Sequence, residues 1–248
     1  MVLDQQFSEL TKHYKKGNFK NIFSRYICSP MFAFIPHKIF DDTFLLSANR
    51  TVFWEEEKTL ILSDLHLGKS GHFRKSGIAI PQNIFREDLQ RLLAEIQFFR
   101  PAQLVIVGDL FHSGMNKEHE LFLRWRKDIS STGIQLVKGN HDILKPEWYE
   151  DAGITVHKKH LLIRNFAFTH DIEECEAGED QYCFSGHIHP AVHMKGPGKL
   201  SVNLPCFYFT EDHAVLPAFG KFTGTFPVKP VKGDAVFALV ENKIMRIQ

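Results

Sequence analysis

The chain has 248 residues, of which 44% are hydrophobic and 24% are charged, a composition typical of a globular protein with a sizeable core. Its formal net charge of +1 exerts no strong overall pull on polyanions, so any basic surface must be local. No apolar run approaches the about 18 residues of a membrane span, and the polar N-terminal stretch does not have the pattern of a signal peptide. We therefore expect a soluble, cytoplasmic protein without a membrane segment.

The cysteines are scattered along the chain, at positions Cys28, Cys175, Cys183 and Cys206. They form neither a C-x-x-C pair nor a short disulfide-dense framework. This spacing predicts free thiols in a reducing cytosol and argues against a cysteine-based zinc site.

The first 38 residues differ from the rest of the chain, because they are rich in lysine and their apolar residues are only loosely periodic. We predict an N-terminal extension over residues 1–38, helical in the first interpretation and solvated or disordered in the second. Met31 is an alternative start of the protein. Residues 39–248 are predicted to form a single domain.

Short apolar runs separated by turn residues begin near Phe44. Residues 51–54 and 59–62 predict a hairpin whose second strand is fully buried and ends at Ser63-Asp64-Leu65-His66. Pro81 suits a first helical turn, and the apolar residues up to Phe99 then repeat at helical spacing. A strand followed by an amphipathic helix is the first predicted unit.

A second unit of the same kind follows. Residues 104–107 predict a buried strand that ends at Gly108-Asp109, and the helix after it, with Leu121, Phe122, Trp125 and Ile129 at helical spacing, is predicted to be capped by Gly133. Residues 135–137 predict a third strand, which ends at Gly139-Asn140-His141-Asp142. Each polar cluster thus follows the C-terminal end of a strand, where open α/β sheets bind their ligands.

The second half of the chain is predicted to be rich in β-structure, with strands at Ile154–His157, Leu161–Thr169, Tyr182–Ser185, Cys206–Thr210, Ala214–Pro217 and Ala235–Val240. These segments predict a second sheet. Two sheets packed face to face, with helices outside, would bring the polar clusters of both halves together along one edge.

The polar residues at these strand ends are Asp64, His66, Asp109, Asn140, His141, His170, His187 and His189. Carboxylate oxygen, imidazole nitrogen and amide oxygen suit divalent ions such as manganese, iron or zinc. One tetrahedral ion would need only four ligands, so this larger set predicts two ions. A pair of ions can stabilise both the attacking and the leaving oxygen during an in-line displacement at phosphorus. In the Asp-x-His and His-x-His pairs, the twofold repeat of a strand is expected to place both side chains on one face. Each motif alone is also compatible with a surface or core feature, but their combination in order predicts a two-metal phosphoesterase.

The ordered motifs Ser63–His66, Gly108-Asp109, Gly139–Asp142, His170 and Gly186–His189 resemble the calcineurin-like metallophosphoesterase superfamily over residues 59–189. The resemblance implies an α/β fold, a four-layer α/β/β/α sandwich of two mixed β-sheets flanked by helices. It implies one metal held by Asp64, His66, Asp109 and His189, and a second held by Asp109, Asn140, His170 and His187. It also implies that His141 protonates the leaving oxygen or stabilises the transition state. We predict that the neighbouring Asp142 orients His141, and the alternative is a turn or helix-capping carboxylate.

A narrower resemblance rests on Asp64–Lys69, Phe73-Arg74, Gly77–Pro81, His189-Pro190, Leu216–Gly220 and Thr223-Gly224. These segments look like the DNA ligase-associated bacterial metallophosphoesterases, whose chains usually begin near Phe44. The resemblance implies a phosphodiesterase or DNA-repair endonuclease that uses two divalent ions, first of all Mn²⁺, with iron or zinc as alternatives. It also implies a functional association with ATP-dependent DNA ligase and helicase.

Substrate binding is predicted for Arg74 and Lys69, because a guanidinium and an ammonium suit phosphate oxygens; the alternative is a merely solvated basic loop. The remaining histidines are predicted to be ordinary surface or core residues: His13, His37, His112, His119, His157, His160, His193 and His213. Three functions stay open, namely a nuclease acting on DNA, a phosphoesterase for a small nucleotide or other diester, and a non-catalytic interaction scaffold. The presence of all seven candidate ligands and of His141 argues against the scaffold.

Overall fold

The computed structural model describes residues 33–69, 84–112, 114, 117–178, 180–195 and 201–248. Most of the predicted N-terminal extension, including Met31, lies outside the described residues, and so does Arg74. No helix in the described part of the chain is long and apolar enough to cross a membrane.

The first sheet has seven strands among the described residues, in chain order: β1 (Phe34–Ile39), β2 (Asp42–Ser47), β3 (Val52–Trp54), β4 (Thr59–Ser63), β5 (Gln103–Val107), β6 (Gly133–Val137) and β7 (Ile154–His157). The strands from β1 to β4 pair antiparallel, which confirms the predicted hairpin of β3 and β4. The strands from β4 to β7 are parallel. Parallel neighbours need crossover connections, and these contain α1 (Ile84–Phe99), α2 (Lys117–Asp128) and α3 (Pro146–Asp151).

The second sheet contains the other described strands: β8 (His160–Ile163), β9 (Phe166–Thr169), β10 (Tyr182–Ser185), β11 (Pro190–Lys195), β12 (Ser201–Phe209), β13 (His213–Val215), β14 (Phe226–Pro227), β15 (Ala235–Val240) and β16 (Lys243–Arg246). Its order is β14-β11-β12-β13-β10-β9-β8, with β15 beside β12 and β16 beside β15. It contains both parallel pairs, such as β10 with β9 and with β13, and antiparallel pairs, such as β12 with β11 and with β13, so it is a mixed sheet.

Aromatic side chains fill the space between the two sheets. The Phe44 ring of β2 lies 5.1 Å from that of Phe166 and 5.2 Å from that of Phe184 in the second sheet. On the opposite face of the first sheet, Phe53 stacks on Phe99 of α1 with 4.7 Å between ring centroids. Side chains in a strand alternate between two faces, so one face of the first sheet packs against the second sheet and the other against helix. The predicted α/β fold with two mixed sheets is confirmed.

Several elements differ from the prediction, and among them β12 begins at Ser201 rather than at Cys206. Residues 34–38 belong to β1 and pair with β2, so the first sheet begins inside the predicted extension. Residues 154–157 form the last strand of the first sheet rather than part of the second. Residues 161–169 form a hairpin of two strands, because Arg164 turns the chain with a φ of +52°. Gly133 begins β6 and does not cap α2, which ends at Asp128.

The prediction of free thiols is wrong for two cysteines, because Cys175 and Cys183 form a disulfide. Cys175 follows a 3-10 turn (Ile172–Glu174) at the end of β9, and Cys183 lies in the neighbouring strand β10. The turn folds the chain back beside β10, which brings residues eight positions apart together. Cys206 is buried and free, and Cys28 lies outside the described residues.

Candidate metal centre

The loops after β4 and β5 run side by side and present three acidic or imidazole side chains at one edge. The backbone N–H of Asp64 donates to the carbonyl of Gly108 at 3.2 Å, and that of His66 donates to the carbonyl of Asp109 at 2.9 Å. The parallel pairing of the strands therefore continues beyond their ends, which fixes Asp64, His66 and Asp109 relative to one another.

A left-handed backbone orients five of the predicted ligands. The φ angles are +51° at Asp64, +48° at His66, +50° at Asp109, +67° at His187 and +53° at His189. L-residues other than glycine rarely adopt this conformation, and it is found where surrounding contacts hold it. The expectation that an extended strand aligns the Asp-x-His and His-x-His pairs is therefore wrong, because the chain bends at each ligand.

Glycines next to the ligands leave room for other ligand side chains. A Cβ on Gly108 would lie 1.8 Å from Nδ1 of His170, and a Cβ on Gly139 would lie 2.2 Å from Oδ1 of Asp109. Glycine is therefore required at these positions, because the ligand side chains pack directly against the main chain.

The first cluster consists of Asp64, His66, Asp109 and His189. Nε2 of His66 lies 3.2 Å from Nε2 of His189 and 3.7 Å from Oδ2 of Asp109. Nε2 of His189 lies 3.5 Å from Oδ1 of Asp64. That carboxylate oxygen is buried and accepts no hydrogen bond from the described residues, so it is available to a cation. Asp64, His66 and His189 form one group whose ligand atoms are close enough to share an ion.

The second cluster surrounds the imidazole of His170. Its Nε2 lies 3.0 Å from Oδ1 of Asn140, 3.1 Å from Nδ1 of His187 and 3.6 Å from Oδ2 of Asp109. Oδ2 of Asp109 thus faces both clusters. The structure brings all seven predicted ligands together, and Asp109 occupies the position expected of a bridge. Asp64 adds a contact to this cluster, with Oδ1 3.9 Å from Nδ1 of His170.

The electrostatics of the clusters suit divalent cations. Burial lowers the pKa of His66 to about 3, so that its imidazole is neutral, as a metal ligand must be. Burial raises the pKa of Asp109, against the opposing effect of His170. Burial also acts to raise the pKa of Asp64, but the neighbouring imidazoles of His189, His170 and His66 bring that pKa below its usual value. Carboxylates crowded in a buried site are stabilised by a bound cation, so the donor set fits two divalent metals.

His141 lies beside the first cluster without belonging to it. Its backbone N–H donates to Oδ1 of Asp109 at 2.9 Å, and its ring centroid lies 5.4 Å from that of His66. Its ring stacks on that of His112 at 4.6 Å. The side chain is partly exposed, which leaves it accessible to a substrate at the metals.

Asp142 does not contact the ring of His141 through any hydrogen bond in the described residues. Its carboxylate is buried and accepts the backbone N–H groups of Phe111 at 3.2 Å and Gly139 at 3.0 Å. Burial, with the nearby charge of Asp109 adding to it, raises the pKa of Asp142 to about 7. These contacts are those of a carboxylate that stabilises a turn, which was the alternative prediction. They give no support to the predicted catalytic role of Asp142 as a partner of His141.

Two neighbours of the site were not predicted to take part in it. Oδ2 of Asp171 lies 3.7 Å from Nε2 of His187, and its position directly after a predicted ligand was the available signal. His112 was assigned to the surface or core, although it follows Asp109 by three residues and stacks on His141. Lys69, predicted to bind substrate, is half-buried, and its charge interacts with those of Asp109 and Asp64 while burial lowers its pKa.

The fold and this site define the class of metal-dependent phosphoesterases, hydrolases that act on phosphoester bonds and use a dinuclear metal centre. A model of the calcineurin-like phosphoesterase family matches residues 57–189, more than half of the chain, and the protein belongs to that family.

Two solved structures are similar to this chain. One is the nuclease MPE of Pseudomonas putida, which is 24% identical, with 83% of this chain and 96% of that chain covered and a TM-score of 0.71. The other is Yfce, a phosphoesterase from E. coli, which is 14% identical, with coverages of 74% and 88% and a TM-score of 0.37. The first of these shares the fold. None of the curated proteins matches the chain.

Proposed function

We propose that this protein is a two-metal phosphodiesterase that cleaves phosphodiester bonds in DNA. The observation that carries the proposal is the pair of clusters that meet at Oδ2 of Asp109, with His141 accessible beside them. The fold shared with a Pseudomonas putida nuclease supports a nucleic-acid substrate.

Each cluster would hold one divalent ion: Asp64, His66, Asp109 and His189 the first, and Asp109, Asn140, His170 and His187 the second. Two bound ions supply a water of lowered pKa and neutralise the charge that develops on the phosphate oxygens. We propose Mn²⁺ because mixed oxygen and imidazole donors suit it, with iron or zinc as alternatives.

The chain's own residues then hold the substrate and move a proton. His141 would protonate the leaving oxygen, since its ring stands beside the first cluster and its backbone is tied to Asp109. Lys69 would contact a non-bridging phosphate oxygen from the side of His66, and we assign Arg74 the same task on the basis of its residue type.

The proposed cellular setting rests on the segments that resemble the ligase-associated group. We propose a role in DNA repair in association with ATP-dependent DNA ligase and helicase, in the cytoplasm. A small nucleotide diester is the second candidate substrate, because the same two-metal centre would hydrolyse a small diester as well as a DNA backbone.

The test is a hydrolysis assay with Mn²⁺ on three substrates: a chromogenic phosphodiester, a phosphomonoester and plasmid DNA. We expect cleavage of the diester and of the plasmid, and a loss of several orders of magnitude in Asp109→Ala because both clusters lose a ligand. Asp212→Ala removes an exposed carboxylate, 81% accessible, and serves as the matched control. Activity that survives in Asp109→Ala contradicts the two-metal mechanism, and cleavage of the small diester without the plasmid favours the second candidate.

A further inference from the structure

A cavity beside the metal centre contains side chains that the proposed chemistry does not use. Its walls include His66, Lys69, Phe85, Phe222 and Thr223. Lys69 supplies a positive charge, which interacts with those of Asp109 and Asp64, while Phe222 supplies an aromatic ring. A cation and an aromatic ring thus share a cavity with a predicted metal ligand.

The wall that carries Phe222 is anchored to the ligand loop. The backbone N–H of Phe219 donates to the carbonyl of Ser63 at 2.8 Å, and that of Gly220 donates to the carbonyl of Asp64 at 3.0 Å. The hydroxyl of Thr223 donates to the carbonyl of Gly220 at 3.0 Å. Phe222 therefore lies two residues after a backbone segment that is hydrogen-bonded to the loop of a metal ligand, in a turn closed by the bond of Thr223.

Two arginines donate hydrogen bonds to the backbone of residues 218–220: Arg91 in α1 and Arg50 in the turn between β2 and β3. Arg91 donates to the carbonyl of Phe219, and its guanidinium lies 3.9 Å from the centroid of the Phe219 ring. Arg50 donates to the carbonyls of Ala218 at 3.0 Å and Gly220 at 3.3 Å. A rigid wall lowers the entropy that a ligand must overcome on binding.

Phe222 is 45% exposed although it is apolar and held on this wall. An aromatic face kept in contact with solvent beside a catalytic centre is suited to stacking a planar group. Resting on the proposed phosphodiesterase function, we propose that Phe222 and Thr223 form a nucleoside subsite, in which the base joined to the scissile phosphate stacks on Phe222 while Lys69 contacts the phosphate.

The cavity combines a cation for the phosphate of a nucleotide with an aromatic ring for its base. The charge of Lys69 interacts with those of the predicted metal ligands Asp109 and Asp64, and Phe222 lines the same cavity. Asp88, the acidic group among the described lining residues, is already paired with Arg91 at 2.7 Å. The subsite therefore recognises the flat face of a base rather than its edge, which makes it tolerant of base identity.

The experiment compares two chromogenic diesters in the presence of Mn²⁺, thymidine 5′-(p-nitrophenyl phosphate) and methyl p-nitrophenyl phosphate. We expect the ratio of their kcat/KM values to favour the thymidine ester, and Phe222→Ala to lower this ratio about tenfold or more through KM. Phe222→Trp is expected to restore the ratio. Phe40→Ala removes another exposed phenylalanine, 56% accessible in the turn after β1, and is the control that keeps the ratio.

Lys69→Met separates phosphate contact from base contact, since it should lower kcat/KM for both esters by a similar factor. A wild-type protein without preference for thymidine, or an unchanged ratio in Phe222→Ala, overturns the subsite and leaves the phosphodiesterase intact. If neither ester is hydrolysed, the proposed function fails. Calorimetric titration of thymidine 5′-monophosphate then tests the existence of the subsite by itself. Binding that is weaker in Phe222→Ala supports the subsite, and binding that is equal in both proteins or absent from both overturns it.

Discussion

Gly108 precedes the shared ligand Asp109 and adopts a φ of +78°. Gly108→Ala would place a methyl group 1.8 Å from Nδ1 of His170, so either the turn or the imidazole must move. We expect metal binding and hydrolysis to be lost, as measured by Mn²⁺ titration calorimetry and the diester assay. Gly114→Ala is the control, since its Cβ would meet nothing within 4 Å. Normal Mn²⁺ affinity in Gly108→Ala would contradict the packing described for His170.

A second prediction at the residue scale concerns His37 in β1. Its ring lies 4.3 Å from that of Phe209 and 5.4 Å from that of Phe237, and burial, with the charge of Arg246, lowers its pKa from 6.5 to about 4. Between these values the unfolded chain binds a proton that the folded protein does not, so the free energy of unfolding falls as the pH drops from 6.5 to 4. The loss is at most about 3 kcal/mol.

Urea unfolding of the metal-free protein between pH 4 and pH 7 measures this effect. His37→Gln has no proton to bind in this range, and its free energy of unfolding should therefore depend less on pH. The same pH dependence in both proteins would show that His37 is not responsible.

The identities of the site residues could be predicted, but their conformations could not. Polar residues directly after buried strands indicated Asp64, Asp109 and Asn140, because strand ends of one sheet meet at one edge. The left-handed backbone at His66 depends on a hydrogen bond to the carbonyl of Asp109, which lies 43 positions further along the chain. A contact between residues so far apart along the chain cannot be predicted from the neighbouring residues.

At the scale of elements, α1 contacts the segment behind the candidate metal centre through Arg91, and we expect this contact to stabilise the centre. This buried guanidinium pairs with Asp88, interacts with the charge of Glu95 and holds the carbonyl of Phe219. Arg91→Met would leave buried carboxylates without their cation, and removal of one partner from such a pair typically costs about 3–5 kcal/mol. We expect that loss in urea unfolding of the metal-free protein, together with weaker binding of Mn²⁺.

Arg86→Met provides the matched control in the same helix, because Arg86 is exposed and exposed substitutions usually change stability by less than about 0.5 kcal/mol. Equal unfolding free energies for the two variants would rule out the anchoring role of Arg91.

The helices and buried strands were predictable because their apolar spacing is strong, whereas turns and pairings were less so. The hairpin of β8 and β9 was predicted as one strand, since the turn at Arg164 contains neither glycine nor proline. β1 was assigned to the extension, because only its pairing with β2 distinguishes it from the preceding polar stretch. These differences arise from contacts between segments rather than from residue preferences.

At the scale of the whole molecule, the candidate metal centre takes its predicted ligands from both sheets. Asp64, Asp109 and Asn140 follow strands of the first sheet, and His170 and His187 follow strands of the second. Bound ions therefore stabilise the folded state against separation of the sheets. At free Mn²⁺ about 1,000 times the Kd, one ion adds about 4 kcal/mol, which raises Tm by roughly ten degrees in a chain of this size.

Thermal melting at increasing Mn²⁺ concentrations measures this stabilisation. Asp109→Asn should remove most of it, because each cluster loses a carboxylate oxygen, while Asp212→Asn should keep it. A Tm that does not depend on Mn²⁺ in the wild-type protein would contradict the assignment of both clusters.

The wall from Ala218 to Gly220 also bears on how much chain the site requires. All seven predicted ligands lie within residues 57–189, the segment that the family model matches. Two parts of the scaffold lie after that segment. One is the backbone of Phe219 and Gly220, which is hydrogen-bonded to Ser63 and Asp64, and the other is the long strand β12 in the second sheet. A protein cut after residue 189 would keep every ligand in its sequence but lose the scaffold that holds them, so the recognisable part of this chain is shorter than the part that must fold.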